Sequence, residues 1–170
     1  MSDICCFLFI MKILIFFIVQ SMFTIGVFGV IFDENEKVLL CHRRDMDLWD
    51  LPGGMVEHGE TPWEGVIREV REEVNLDVEV VRLIGIYSKK KKNDVILSFL
   101  CKEIGGKLTL TDEADNIEYF DRDRLPQNLS PKHVERITDA LSKQKEVIMK
   151  IQSDQTGFQL VAKSGYNFIK

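Results

Sequence analysis

Residues 53–76 read GGMVEHGETPWEGVIREVREEVNL, and the rest of the chain is best read outward from this stretch. Thr61, Pro62 and Glu64 stand where a helix start wants a side-chain acceptor, a preset φ and a reciprocal carboxylate, so a helix is predicted from Pro62 to Val74. Along it Trp63, Val66, Ile67, Val70 and Val74 recur at spacings of three and four, an apolar stripe that calls for a sheet beneath it. Asn75 comes next, and Asn is the usual second choice after glycine for the left-handed residue that closes a helix. Before the helix, Pro52, Gly53, Gly54 and Gly59 are too many breakers for a regular element, so Asp45 to Gly59 is expected to be an ordered loop.

Upstream, FTIGVFGVIF from Phe23 to Phe32 and KVLLCHR from Lys37 to Arg43 flank the polar turn Asp33-Glu34-Asn35-Glu36 and predict a β-hairpin. Downstream, strands are predicted over Val78 to Ser88 and Val95 to Lys102, with Lys89 to Lys92 in a solvated turn between them, and over Ile117 to Phe120. A capped helix is predicted from Ser130-Pro131 to about Leu141, then two short strands in the tail from Val147, around Ser153 to Gly157. Strands interleaved with two helices indicate an α/β domain with helices packed on a mixed β-sheet.

The 170 residues suffice for one domain with a real core, assigned to 22–170. Residues 1–21 form an apolar N-terminal extension in which Ile4 to Val19 is interrupted only by Lys12. That run is shorter than the ~20 residues of a membrane-spanning helix and lacks the basic start of a signal peptide. It reads as a short membrane anchor, an extra buried element, or a start assigned too early, the chain then beginning at Met11 or Met22; the last is favoured. Hydrophobic residues at 45% and charged residues at 29% describe a folded globular chain. A net charge of −5 argues against long nucleic acid as partner, yet allows small phosphorylated substrates where bound cations reverse the local field. Cys5, Cys6, Cys41 and Cys101 show no paired spacing for zinc or a disulfide scaffold and point to a reducing, cytoplasmic compartment.

Chemistry is concentrated on the helix. Glu69, Glu72 and Glu73 at i, i+3 and i+4 share one side, a placement that costs a few tenths of a kcal/mol per like-charge pair in a bare helix. A hard divalent cation turns that cost into affinity. Arg68 can reach Glu64 or Glu72 one turn away and fix a carboxylate rotamer. The alternative, a solvated charged face, is weakened by Gly53-Gly54 and Gly59-Glu60 just before the helix, which open backbone groups to a ligand. His42, His58 and His133 are scattered and make no metal site.

Gly54, five residues, Glu60, seven residues, then Arg68-Glu69-Val70-Arg71-Glu72-Glu73-Val74-Asn75-Leu76 closely resembles the Nudix box, G-x5-E-x7-R-E-U-x-E-E-x-G-U with U aliphatic. The one departure is Asn75, where the pattern has glycine. Trp49-Asp50-Leu51-Pro52 ahead of it, Glu57, Glu118-Tyr119-Phe120 and Leu125-Pro126 extend the resemblance over about Phe23 to Leu141. The resemblance implies a Nudix-type α/β/α sandwich and divalent-metal-dependent hydrolysis of a pyrophosphate bond in a nucleoside diphosphate linked to another moiety. It further implies that Glu69, Glu72, Glu73 and the carbonyl of Gly54 hold one to three Mg²⁺ or Mn²⁺ ions, that Arg68 orients a glutamate, and that the general base is Glu69 or, from downstream, Glu113 or Glu118. Arg43, Arg44, Trp49 and Gly53 are the candidates for substrate contact, although Trp49 could equally pack under the loop. A small nucleotide-type substrate is the expected partner, a homodimer is allowed, and membrane contact depends wholly on the N-terminal segment. The other reading is a catalytically weak or inactive nucleotide-binding or sensor module on the same fold; the intact glutamates favour the enzyme.

Overall fold

In the computed structural model, residues 23–89, 93–142, 144 and 146–152 are described. The apolar run at 4–19, Lys90 to Lys92 and the second of the tail strands lie outside these residues. Strand β1 (Thr24–Ile31) is second in a five-stranded mixed sheet, with β4 (Gly53–Met55) antiparallel on its edge side and β6 (Asp94–Gly106), the central strand, parallel on the other. Beyond β6 come β5 (Leu76–Lys89), antiparallel to it, and β8 (Ile148–Ile151), parallel to β5, giving the order β4-β1-β6-β5-β8. A second, antiparallel sheet has the order β3-β2-β7, from Trp49–Asp50, Val38–Arg43 and Ala114–Phe120.

The alternation of β1 explains the layers. Val27 and Ile31 face helix α1 (Pro62–Val74) in a core with Val66, Val70 and Val74, whereas Val30 faces helix α2 (Pro131–Leu141) in a core with Ile84, Leu129 and Ile137. Gly29 brings α1 close, since a Cβ there would stand 3.1 Å from Val70 and 3.4 Å from Val66. The result is the expected α/β/α sandwich with a mixed sheet between helices.

Three expectations need correction. β1 and β2 do not form a hairpin: apart from a single bridge between Phe32 and Val38 they part into different sheets, because β1 takes β6 as its partner across most of the domain. The loop over 45–59 contains two short strands, β3 and β4, each extending a different sheet. The inward face of α1 is rotated from the predicted stripe: Gly65, Val66, Glu69, Val70 and Val74 are buried, while Trp63 is 54% exposed. Rotation in this sense brings Glu69 inward beside β4. Ser130 precedes α2 but makes no capping bond through its side chain. Among the described residues no helix is long and apolar enough to cross a membrane.

Candidate active site

Helix α1 starts where the sequence places it. Thr61 Oγ1 accepts from the Glu64 N–H and the Glu64 carboxylate accepts from the Thr61 N–H at 2.8 Å, a closed capping box with Pro62 behind it. At the other end Asn75 adopts φ 58°, ψ 34°, donates its N–H to Arg71 O, and uses its side-chain amide to bind Lys107 O at 2.9 Å. The left-handed turn that glycine would serve is thus kept, with an added tie to the strand end.

Arg68 organises the acidic side chains. Its Nε and Nη2 donate to the two oxygens of Glu60 at 3.1 and 2.8 Å, Nη2 also to Met55 O at 3.0 Å, and Nη1 to Glu69 at 3.0 Å and Glu72 at 2.9 Å. Glu64, the other partner considered, is committed to the cap. The guanidinium holds the Glu60 carboxyl below the usual carboxylate range. The Glu69 carboxylate lies against the backbone of Gly54, where a Cβ would meet its Oε1 at 2.5 Å, so the site tolerates only glycine there without rearrangement.

Glu73 points elsewhere. It accepts from the Gly53 N–H at 2.9 Å and faces the Cys41 thiol at 3.8 Å. Burial pushes its pKa up to about 8, opposed by the Gly53 bond and reinforced by the charges of Glu69, Glu113 and Asp50. Glu69 is likewise raised, by burial first, with Glu72 and Glu113 adding to it. Glu69 and Glu72 therefore meet at Arg68 while Glu73 faces β4, and no group of three such side chains among the described residues is already drawn together at ligand distances. The expected convergence of all three carboxylates is only partial.

Beside the helix lies a cavity of about 950 Å³, lined by Gly53, Gly54 and Glu73 as well as Arg43, Arg44 and Glu113. Arg43 pairs with Asp45 through two bonds of 2.8 Å and stands 3.6 Å from Asp50; Arg44 donates to the carbonyls of Thr111 and Ala114. Both line the cavity, Arg43 held by Asp45 and Asp50 and Arg44 tied to the backbone through Nη2. Trp49 corrects the substrate-contact set: it is buried, packs edge-on against His42 and Phe120, and is absent from the lining. Glu118 is exposed on β7 and off the lining, whereas Glu113 is on it. His133, weighed in the sequence only as a metal ligand and set aside, and Arg136, not singled out there, are buried in α2 and line the cavity; a polar residue on an amphipathic helix gives no sign from spacing alone that it faces inward.

The profile of the NUDIX domain matches residues 22–141. The chain belongs to the Nudix hydrolase family. It is 36% identical over 118 residues to a MutT-like protein of Streptomyces ambofaciens, a match covering 69% of this chain and 77% of that one. It is also similar to an ADP-ribose pyrophosphatase of Methanocaldococcus jannaschii, 37% identical over 110 residues, 61% of this chain and 64% of the relative. The crystal structure of an ADP-ribose pyrophosphatase from Streptococcus suis superposes with a TM-score of 0.64 at 27% identity, covering 77% of this chain and all of that one. The Nudix box of this hydrolase thus runs from the end of β4 through α1 into β5, with Arg68 at its centre.

Proposed function

We propose that this Nudix hydrolase cleaves the pyrophosphate bond of a nucleoside diphosphate joined to another group, with Mg²⁺ or Mn²⁺ held by Glu69, Glu72, Glu73 and the Gly54 carbonyl. The observation that carries the reading is the surplus of hard oxygen donors at one end of the cavity. Burial first, and then the charge of nearby carboxylates including Glu113, raise the proton affinity of Glu69 and Glu73, and Arg68 is the cation beside Glu69. Such a set suits a hard divalent cation. When bound, the cation supplies charge neutralisation at the phosphoryl oxygens and acidifies a water. The names carried by the relatives above support the substrate class.

The chain's own residues then have separate tasks. Arg68 fixes the rotamers of Glu69 and Glu72, and Gly53 fixes that of Glu73 through its N–H. Water oxygen bonds to one phosphorus, the P–O bond to the bridging oxygen breaks, and that oxygen departs with the second phosphate. The proton released by the water passes to Glu69, whose carboxylate lies against Gly54, or to Glu113 on the cavity lining. We assign one domain to 22–170; the family match covers 22–141 of it. Cys41 and Cys101, both free and buried, fit a cytoplasmic location.

The test is a panel of nucleoside diphosphate derivatives, nucleoside triphosphates and nucleotide sugars, with products separated by chromatography in Mg²⁺, Mn²⁺ and chelator. At least one compound is hydrolysed only with metal, and Glu72→Gln and Glu73→Gln each slow it on the order of 10²-fold. Unchanged turnover in both variants contradicts the roles given to these carboxylates. Nucleotide binding with no turnover of any compound makes the protein a sensor module instead.

A further inference from the structure

Helix α1 covers only part of the sheet face on which it lies. Residues paired across neighbouring strands put their side chains on one side, and Val27 of β1 belongs to the core under α1. Leu97, Ile86 and Met149 continue its row through β6 and β5 to β8, so all three stand on the α1 face. One step nearer the start of β1 runs a second row of Ile25, Val95, Ser88 and Ile151. No residue of either row is charged. Glu69 sits against β4, so the opposite flank of α1, which carries Trp63 and Ile67 one turn apart, overhangs the β6 side. The outer part of the two rows is open: Met149 is 80% and Ile151 62% exposed, and Ile25, Trp63 and Ile67 are exposed as well. The cavity lies elsewhere, on the other face of β1, where Gly26 and Phe28 line it.

A contiguous apolar strip of this kind marks a surface that another group covers. Its occupant is indicated by where the chain enters. β1 begins at Thr24, and the exposed Phe23 joins it to a segment whose run from Ile4 to Val19 carries one charge, Lys12, in sixteen residues. The strip crosses four strands, about 14 Å at the usual strand spacing, a span that sixteen residues can cover either coiled or extended. A strongly apolar segment thus enters the domain at the edge of an open apolar face. A second copy of the chain would have to compete with a tethered segment whose effective concentration is in the millimolar range. A bilayer suits the segment less well, since the run is shorter than the ~20 residues of a spanning helix and has Lys12 near its middle. We propose that residues 4–19 pack on the sheet face formed by Ile25, Leu97, Ile86, Met149 and Ile151, beside Trp63 of α1, and close the core on that side. Of the three readings that the sequence allows for this segment, the open face supports the buried element. The packing is independent of the hydrolase reading.

The experiment uses the full chain made from Met1 and follows Trp63 by fluorescence, with Trp63→Phe as background, since Trp49 is buried. In the wild type Trp63 emission is blue-shifted, acrylamide quenches it weakly, and brief chymotrypsin treatment leaves the first 22 residues attached. Leu14→Asp in the segment and Met149→Lys in the face each shift the emission to the red, raise quenching to that of an open surface indole, and let the protease release the segment. Should either variant fail to fold, Ile151→Lys, at another exposed position of the face, takes its place. Strong quenching in the wild type, or protection that survives Leu14→Asp, overturns the proposal; in the second case another part of the chain holds the face. A wild type that is dimeric in sedimentation and loses Trp63 protection on dilution also overturns it, and gives the face to a second copy. Flotation of the full chain with phosphatidylcholine vesicles, abolished by Leu14→Asp, overturns it in favour of a membrane anchor.

Discussion

Glu73 gives the structure a pH dependence of definite sign. In the metal-free folded protein its pKa lies at about 8, against an unfolded value of 4.5. An acid whose folded pKa is raised keeps its proton in the native state after the unfolded chain has lost it. Stability therefore falls as pH rises from the unfolded to the folded pKa and is level beyond, with a slope of about 1.4 kcal/mol per pH unit. His133 works in the opposite direction at lower pH: burial depresses its pKa, so stability rises with pH until the unfolded imidazole has lost its proton near 6.5. The acids with lowered values, Asp33, Asp45, Glu60 and Glu64, have their effect below the ordinary carboxylate range, and the buried Cys41 thiol has its own above pH 8. Glu69, also raised by burial, acts in the same direction as Glu73, and from Glu73 alone the expected loss between pH 6.5 and 8 is about 2 kcal/mol. With a urea m-value of about 2 kcal/mol/M, the midpoint of a chelator-treated sample drops by about 1 M across that window. Glu73→Gln removes most of the drop, and saturating Mg²⁺ reverses it, because the cation binds the ionised form and stabilises the folded state by mass action. Equal wild-type midpoints at the two pH values, or the same drop in Glu73→Gln, refute the assignment of a buried, proton-holding carboxylate.

Gly53 has φ +150°, and a Cβ there would stand 2.1 Å from the Val27 carbonyl oxygen; Gly53→Ala is expected to cost about 3 kcal/mol or more in urea denaturation and to displace the N–H that holds Glu73. Thr61→Ala removes an acceptor from the capping box and should cost about 1 kcal/mol while leaving KM and kcat within twofold to threefold, a split that equilibrium denaturation and initial rates together will show. Asn75→Ala forces a Cβ-bearing residue without a compensating amide into the left-handed region and should lose about 1–2 kcal/mol, whereas Asn75→Gly trades the Lys107 bond for backbone freedom and stays within about 1 kcal/mol of wild type.

The helix at the site was legible because its signals are local: the cap, the proline, the closing Asn75 and the grouped carboxylates all fall within one stretch. The partners of the strands were not. Nothing near β1 in sequence announces that β6, some seventy residues on, supplies its parallel neighbour, so adjacency suggested β2. The rotation of α1 was hidden for a related reason, since Trp63 looks apolar enough to be buried until Glu69 takes an inward position against Gly54. The cavity wall formed by α2 was the least legible part. His133 and Arg136 sit three apart on a helix whose pattern reads as amphipathic, and only the stacking of Arg136 between Phe28 and Tyr87 shows them facing in.

Only Leu51 and Pro52 separate β3, an edge strand of the antiparallel sheet, from β4, an edge strand of the mixed one. Asp50 stands just before that crossing and Gly53 just after it, so the shortest of the chain links between the two sheets passes directly through the site. A mutation that loosens the seam between the layers, however distant, will shift Asp50 against Gly53 before it unfolds anything. Lost turnover should consequently be the earliest symptom of core damage in this protein, appearing in variants that still melt cooperatively.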